Sequence, residues 1–100
     1  ILLDDDEFRR RFKGSPIKRI KRRGLLRNVA VALGNSKDPK VVPFLIKALE
    51  DKEPLIRAHT VWALGELLFS ESITVLDEKL AEEAESMVLQ ELDGLRQRFV

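Results

Sequence analysis

Ten of the nineteen residues from Arg9 to Arg27 are Lys or Arg, in the run RRRFKGSPIKRIKRRGLLR, and none is acidic. Guanidinium and ammonium groups at this density do one kind of chemistry well: they hold polyanions. Arg grips a phosphate with two parallel N–H donors, and Lys acts as a point charge. The remainder of the chain has the opposite sign. Residues 1–36 carry 10 basic and 4 acidic side chains, whereas residues 37–100 carry 8 basic and 13 acidic, so a formal net charge of +1 conceals a split of +6 against −5. Such a one-sided field suits nucleic acid first and a merely solvated helix face second.

Other chemistries lack their residues. With no Cys there is no disulfide, no thiolate nucleophile and no thiolate-held iron–sulfur cluster or zinc. His59 is the single histidine, and neither a GxSxG elbow, a GxGxxG turn nor a P-loop is present. No catalytic and no metal-binding residue is assigned, and the chain alone is expected to be neither an enzyme nor a cofactor binder. An apolar share of 44% with 35% charged residues fits one helix-rich globular domain of 1–100, and no apolar run nears the ~20 residues of a membrane span. A start at Ile1 rather than Met suggests an excised piece of a larger protein.

Positioning the cations is the work of helices, because apolar residues recur at helical rather than strand spacing. Asp4–Lys13 reads as a short helix with Phe8 and Phe12 on one face. Ser15-Pro16 reads as N-cap and first position of the next, which carries Ile17 and Ile20 inward and Lys18, Arg19, Lys21, Arg22 and Arg23 outward. Gly24 is expected to break it, with Leu25–Leu33 following as a separate helix closed by Gly34-Asn35. Asp38-Pro39 opens Pro39–Glu50, and Glu53-Pro54 opens a helix through Leu67 or Leu68. Phe69–Ser72 reads as a linker. Beyond it, Ile73, Leu76, Leu80, Ala84, Met87, Val88, Leu92, Leu95 and Phe99 are the inward candidates, on one long helix or on two broken near residues 82–86; repeat logic favours two.

Ala32-Leu33-Gly34 returns as Ala63-Leu64-Gly65, and each copy ends an amphipathic helix. A helix–turn–helix unit of this kind cannot bury its apolar face alone, so units stack into a solenoid. The segment DPKVVPFLIKALEDKEPLIRAHTVWALGEL, residues 38–67, resembles a HEAT repeat of the phycocyanobilin-lyase type. That resemblance implies an all-α superhelix of about five to six helices in antiparallel pairs, with 38–67 as its best-matching repeat and 68–100 as degenerate capping helices. HEAT arrays bind proteins, DNA and RNA alike, so a stand-alone protein-interaction module and a DNA-binding domain remain open on this ground.

A longer run, residues 8–67, resembles the carboxy-terminal region of the epoxyqueuosine reductase family, most sharply in GSPIKRIKRRGLLRNVAVALGN, residues 14–35. The resemblance implies a parent enzyme of tRNA modification that reduces epoxyqueuosine to queuosine in the anticodon loop, in the cytoplasm, using cobalamin and two 4Fe–4S clusters. The implied cluster and cobalamin residues belong to an upstream catalytic domain, and none maps onto this chain. What carries over is a basic end facing the tRNA anticodon stem-loop: Arg11, Lys13, Ser15, Lys18, Arg19, Lys21, Arg22, Arg23, Arg27 and Asn28.

Within that set, Lys18/Arg22 and Arg19/Arg23 are like-charged pairs four residues apart. Each costs a helix a few tenths of a kcal/mol, which a counter-anion such as RNA phosphate would relieve. The N–H groups freed at the Ser15-Pro16 start suit a phosphate as well. Asn28 either reads a base edge or bonds across the inter-repeat turn. Arg57 is expected to tie adjacent loops, His59 to be structural rather than to line the concave face, and Trp62 to lie in the core. The acid-rich span from Glu66 to Asp93 reads as a solvated face that repels RNA.

Overall fold

Proline and packing decide where each helix starts and stops. The computed structural model describes residues 18–99, with side chains from Lys21 onward. Among them are five α-helices and no strand: α1 (Lys18–Ser36), α2 (Val42–Ala48), α3 (Pro54–Leu68), α4 (Glu71–Lys79) and α5 (Ser86–Arg98). The expected helix Asp4–Lys13, with Phe8 and Phe12, and the Ser15-Pro16 start lie outside the described residues.

Gly24 does not break the chain. The helix runs through it from Lys18 to Ser36, because Leu26 and Ala30, both fully buried in the turns that follow, anchor that stretch against α3. A mid-helix Gly costs roughly 1 kcal/mol, which such burial outweighs. Closure also comes later than Gly34-Asn35. Ser36 Oγ donates to the Leu33 carbonyl at 2.6 Å, and Lys37 takes the left-handed conformation at φ 57°. Asp38 then accepts the Lys40 N–H at 3.0 Å and starts a 3-10 turn, Pro39–Val41. Pro43 has no N–H to return to the preceding turn, so the regular helix begins at Val42 instead of Pro39.

Pro54 opens α3 as expected, after extended Glu53. Phe69 ends it with φ 53°, which turns the chain so sharply that α4 starts at Glu71, inside the span read as a linker. The chain breaks again between Leu80 and Glu85, giving two helices where 73–99 was ambiguous. That break shifts the helical phase. Ala84 and Met87, expected inside, are exposed, while Leu80, Val88, Leu92 and Leu95 are buried.

α1, α3 and α5 form one row and α2 and α4 a second, each of these short helices packing on α3. Close approach within the first row needs two glycines. A Cβ on Gly34 would sit 2.6 Å from the Trp62 ring and 3.0 Å from Ala63 Cα, and one on Gly65 would sit 2.5 Å from Leu95. The repeated ALG therefore marks where one helix of the row lies against the next. Leu45, Leu49, Val61, Leu64, Leu76, Leu80, Val88, Leu92 and Leu95 fill the core between the rows. Trp62 is only half-buried, packed on the rim of this core rather than within it.

Candidate nucleic-acid interface

The basic turns of α1 begin at one edge of the helix row, and that edge divides them. Arg22 faces in. It is 8% exposed, and its guanidinium donates to both carboxylate oxygens of Asp51, at 3.2 and 2.6 Å. Asp51 Oδ1 also accepts the Glu53 N–H at 2.9 Å. Burial alone would push the Asp51 carboxyl up; the Arg22 bonds and the Glu53 N–H outweigh it and hold it below the ordinary carboxylate range. Arg22 is thus a tie between α1 and the α2–α3 loop, a correction to its reading as an outward, phosphate-facing cation. Its partner lies 29 residues away, beyond the reach of helical periodicity. The like-charge cost it shares on α1 is relieved from within the protein.

Arg23 is intermediate in exposure and lies 3.9 Å from the Glu53 carboxylate. Lys21, Arg27 and Asn28 are exposed. The side chains of Lys18 and Arg19, and all of Arg11, Lys13 and Ser15, lie outside what the structure describes. Of the expected set, then, the structure gathers Lys21, Arg27 and Asn28 on the exposed surface of the first three turns of α1, with Arg23 at its margin.

Arg57 continues the seam that Arg22 begins. It donates to the Asp51 carbonyl at 2.8 Å and grips Glu83 with Nε and Nη2, at 2.7 and 3.0 Å. The Arg57 bonds hold the Glu83 carboxyl below its ordinary value against the opposing effect of burial, and Glu83 in turn holds Arg57 above its own. The expectation that Arg57 ties loops matches this geometry. An open depression beside it, lined by Lys79, Leu80 and Glu82 among others, is mixed in charge.

A further surface lies on α3. On α3, Leu55, His59, Trp62 and Glu66 recur at i, i+4, i+7 and i+11, and between Ala58 and Gly65 only His59 and Trp62 are not buried. The ALG offset places Gly24, Asn28, Val31 and Asn35 on the same face of α1, and none of these is buried. His59 Nδ1 lies 2.9 Å from the Leu55 carbonyl. A carbonyl only accepts, so Nδ1 is the donor in this contact. His59 on this face agrees with the second of its two expected places, whereas Trp62, expected in the core, is only partly buried.

Among the described residues there is no group of three or more His, Asp or Glu placed to hold a metal ion, and no helix long and apolar enough to cross a membrane. The HEAT-repeat family model matches residues 22–96. The chain is 42% identical over 64 residues to an epoxyqueuosine reductase of Xanthomonas campestris pv. campestris, covering 63% of this chain and 18% of that protein. It is 39% identical over 71 residues to that of Alicycliphilus denitrificans, covering 63% and 20%. With the enzyme of Escherichia coli K12 it shares 28% identity over 76 residues, covering 76% and 20%. The chain spans about a fifth of the length of these curated relatives, in their small C-terminal part. No solved structure matches. The matched stretch takes in α2, α3 and α4 whole, with nearly all of α1 and α5, and with the stacked helix rows and the ALG contacts it establishes that the chain belongs to the HEAT-repeat family.

Proposed function

We propose that this chain is the RNA-holding HEAT module of a tRNA-modifying epoxyqueuosine reductase, contacting phosphates of the anticodon stem-loop through the outward cations of α1. The observation that carries this reading is the placement of Lys21, Arg27 and Asn28 on the exposed first turns of α1, in a chain whose residues 37–100 are net acidic. Exposed cations adjoining a net negative remainder give a polyanion one place to bind and several from which it is repelled. Lys18 and Arg19, and the preceding Arg11, Lys13 and Ser15, belong to the same proposed contact by their place in the sequence. Arg22 is removed from it, because Asp51 already fills its fork.

Reduction of epoxyqueuosine belongs, on this reading, to an upstream catalytic domain of the same cytoplasmic polypeptide. The residues present do not fit the redox groups implied for the parent. The chain has no Cys to ligate an iron–sulfur cluster and one His, whose Nδ1 is spent on a backbone carbonyl. Neither those clusters nor cobalamin is assigned a site here.

The test is fluorescence anisotropy of the 100-residue chain with a labelled anticodon stem-loop, set against a matched DNA duplex. Tighter binding of the stem-loop, weakening steeply with salt, is the expected result. Preference for the DNA duplex would make this a DNA-binding HEAT domain. Absence of nucleic-acid binding would leave the basic turns as a docking site for an acidic protein.

A further inference from the structure

A run of short bonds crosses the molecule at the edge where α1, α3 and α5 begin. It starts on α1, where the Arg22 guanidinium grips the Asp51 carboxylate of the α2–α3 loop. Asp51 is held from its other side as well, because its carbonyl accepts from Arg57 Nη1 of α3 at 2.8 Å. Arg57 directs Nε and Nη2 to Glu83 of the α4–α5 loop. Glu83 Oε2 then accepts the Glu85 N–H at 3.1 Å, immediately ahead of α5.

What the run reaches is the basic part of α1. Among residues 21–25 the buried side chain is Arg22, and the buried apolar residues Leu26 and Ala30 come after it. Gly24 lies between, and a glycine loosens the turn that carries it. Arg23, beside Arg22, lies 3.9 Å from the carboxylate of Glu53, whose N–H donates to Asp51 Oδ1 at 2.9 Å. One loop therefore holds two consecutive residues of α1, and this hold sets the rotation at which Lys21 and Arg27 leave the helix. Arg57 in turn fastens that loop to α3 and to the α4–α5 loop. The Arg57 and Glu83 side chains are 15% and 5% exposed, so neither is placed to grip a ligand itself.

We propose that Arg57 and Glu83 are positioning residues for the phosphate-facing turns of α1, acting through Asp51 and Arg22 rather than by touching RNA. This rests on the RNA reading above and deepens it, since it gives the outward cations a support as remote as the α4–α5 loop. Cations held at a fixed rotation meet phosphates without first having to be ordered. Such a coupling is reciprocal, so a ligand on α1 also steadies the α4–α5 loop. The sign of one effect sets this apart from simple electrostatics. Glu83 is an anion, and its neutralisation would tighten the hold on a polyanion, or leave it unchanged, if only the field of the protein mattered. Lost support weakens it instead.

The experiment is anisotropy of the full chain with a labelled anticodon stem-loop across a salt series, with amide hydrogen exchange as a second readout. Glu83→Gln should weaken binding about fivefold, whereas Glu82→Gln, at the exposed carboxylate next to it, should leave binding unchanged or slightly tighter. Arg57→Lys keeps the charge but not the fork, and should weaken binding similarly. Both seam variants should retain the parent's salt slope, because no phosphate contact is removed. Leu76→Val, in the buried core at α4, should lower the urea midpoint yet leave the affinity of the folded chain unchanged, which separates support from stability. Saturating stem-loop should slow amide exchange in the α4–α5 loop of the parent. If the parent binds but Glu83→Gln and Arg57→Lys bind equally well, or if Leu76→Val weakens binding as much as they do, or if exchange in that loop is unaltered, this inference falls and the phosphate contact stands. If the parent does not bind the stem-loop, the RNA reading itself falls and takes this inference with it.

Discussion

The two edges of the helix row are both laced with charge, yet they use it differently. At the edge where α1, α3 and α5 begin, Arg22, Asp51, Arg57 and Glu83 form a string of short bonds whose side chains are 5–15% exposed. At the edge where those helices end, Glu66 accepts from Lys37 at 2.9 Å and from Arg98 at 3.3 Å, and the two cations are 55% and 44% exposed. There the aromatic rings share the work. Phe69 and Phe99 meet edge to face at 6.4 Å, with Lys37 over one ring and Arg98 over the other. The first edge is a set of desolvated, bidentate ties whose partners cannot be removed singly without stranding a charge. The second is a solvated network in which each pair contributes little. The contrast also explains why the basic segment cannot be treated as one surface: its inward member secures the stack, while its outward members are exposed to a ligand.

The largest effect expected from this contrast is on Arg22. Arg22→Ala leaves the Asp51 carboxylate part-buried beside α3 and should cost about 3 kcal/mol of unfolding free energy, measured by urea titration. Parity between Arg22→Ala and Lys37→Ala would break the comparison outright.

Acid should sharpen it. Asp51, Glu83 and Glu66 all have carboxyls held below their ordinary values in the folded state. A depressed folded pKa contributes stability that is present above the unfolded value, near ~4, and is lost as pH falls through the folded one. The urea midpoint should therefore be flat from neutrality to about pH 5 and decline below that. The decline should be shallower in Arg22→Ala, where Asp51 has lost the bonds that depress it. An identical acid limb in parent and variant would remove Asp51 from the account.

The smallest effect belongs to Lys37→Ala, about 0.5–1 kcal/mol for an exposed ion pair plus a cation–ring contact, fading in high salt. A salt-insensitive loss there would show that packing on Phe69, not charge, is what Lys37 supplies.

How far the sequence reveals this molecule depends on the range of the interaction. Local signals carried well: Pro54 after Glu53 started a helix where expected, and the ALG repeat marked the close contacts of Gly34 and Gly65. They failed where a distant contact decided. Gly24 reads as a break until Leu26 and Ala30 are seen buried against α3. Pro43 delays the start of α2 by a turn, and Phe69 compresses the linker through a positive φ that no neighbouring residue announces. At the candidate site, the identity of the basic cluster was legible from composition. The inward turn of Arg22 was not, because Asp51 is remote in sequence, and the partial exposure of Trp62 was not, because an indole on a packed helix reads as core.

The central claim is that outward cations of α1 hold RNA phosphates while Arg22 does not. The most direct measurement is hairpin affinity across a salt series for the parent and for the combined Lys18→Gln, Arg19→Gln, Lys21→Gln, Arg27→Gln variant, with folding checked by circular dichroism. If about four phosphates are engaged, the parent's log K should fall against log salt with a slope of roughly −3 to −4, and the variant's slope should collapse toward zero with the helical signal intact. An unchanged affinity and slope in the folded variant would contradict the claim.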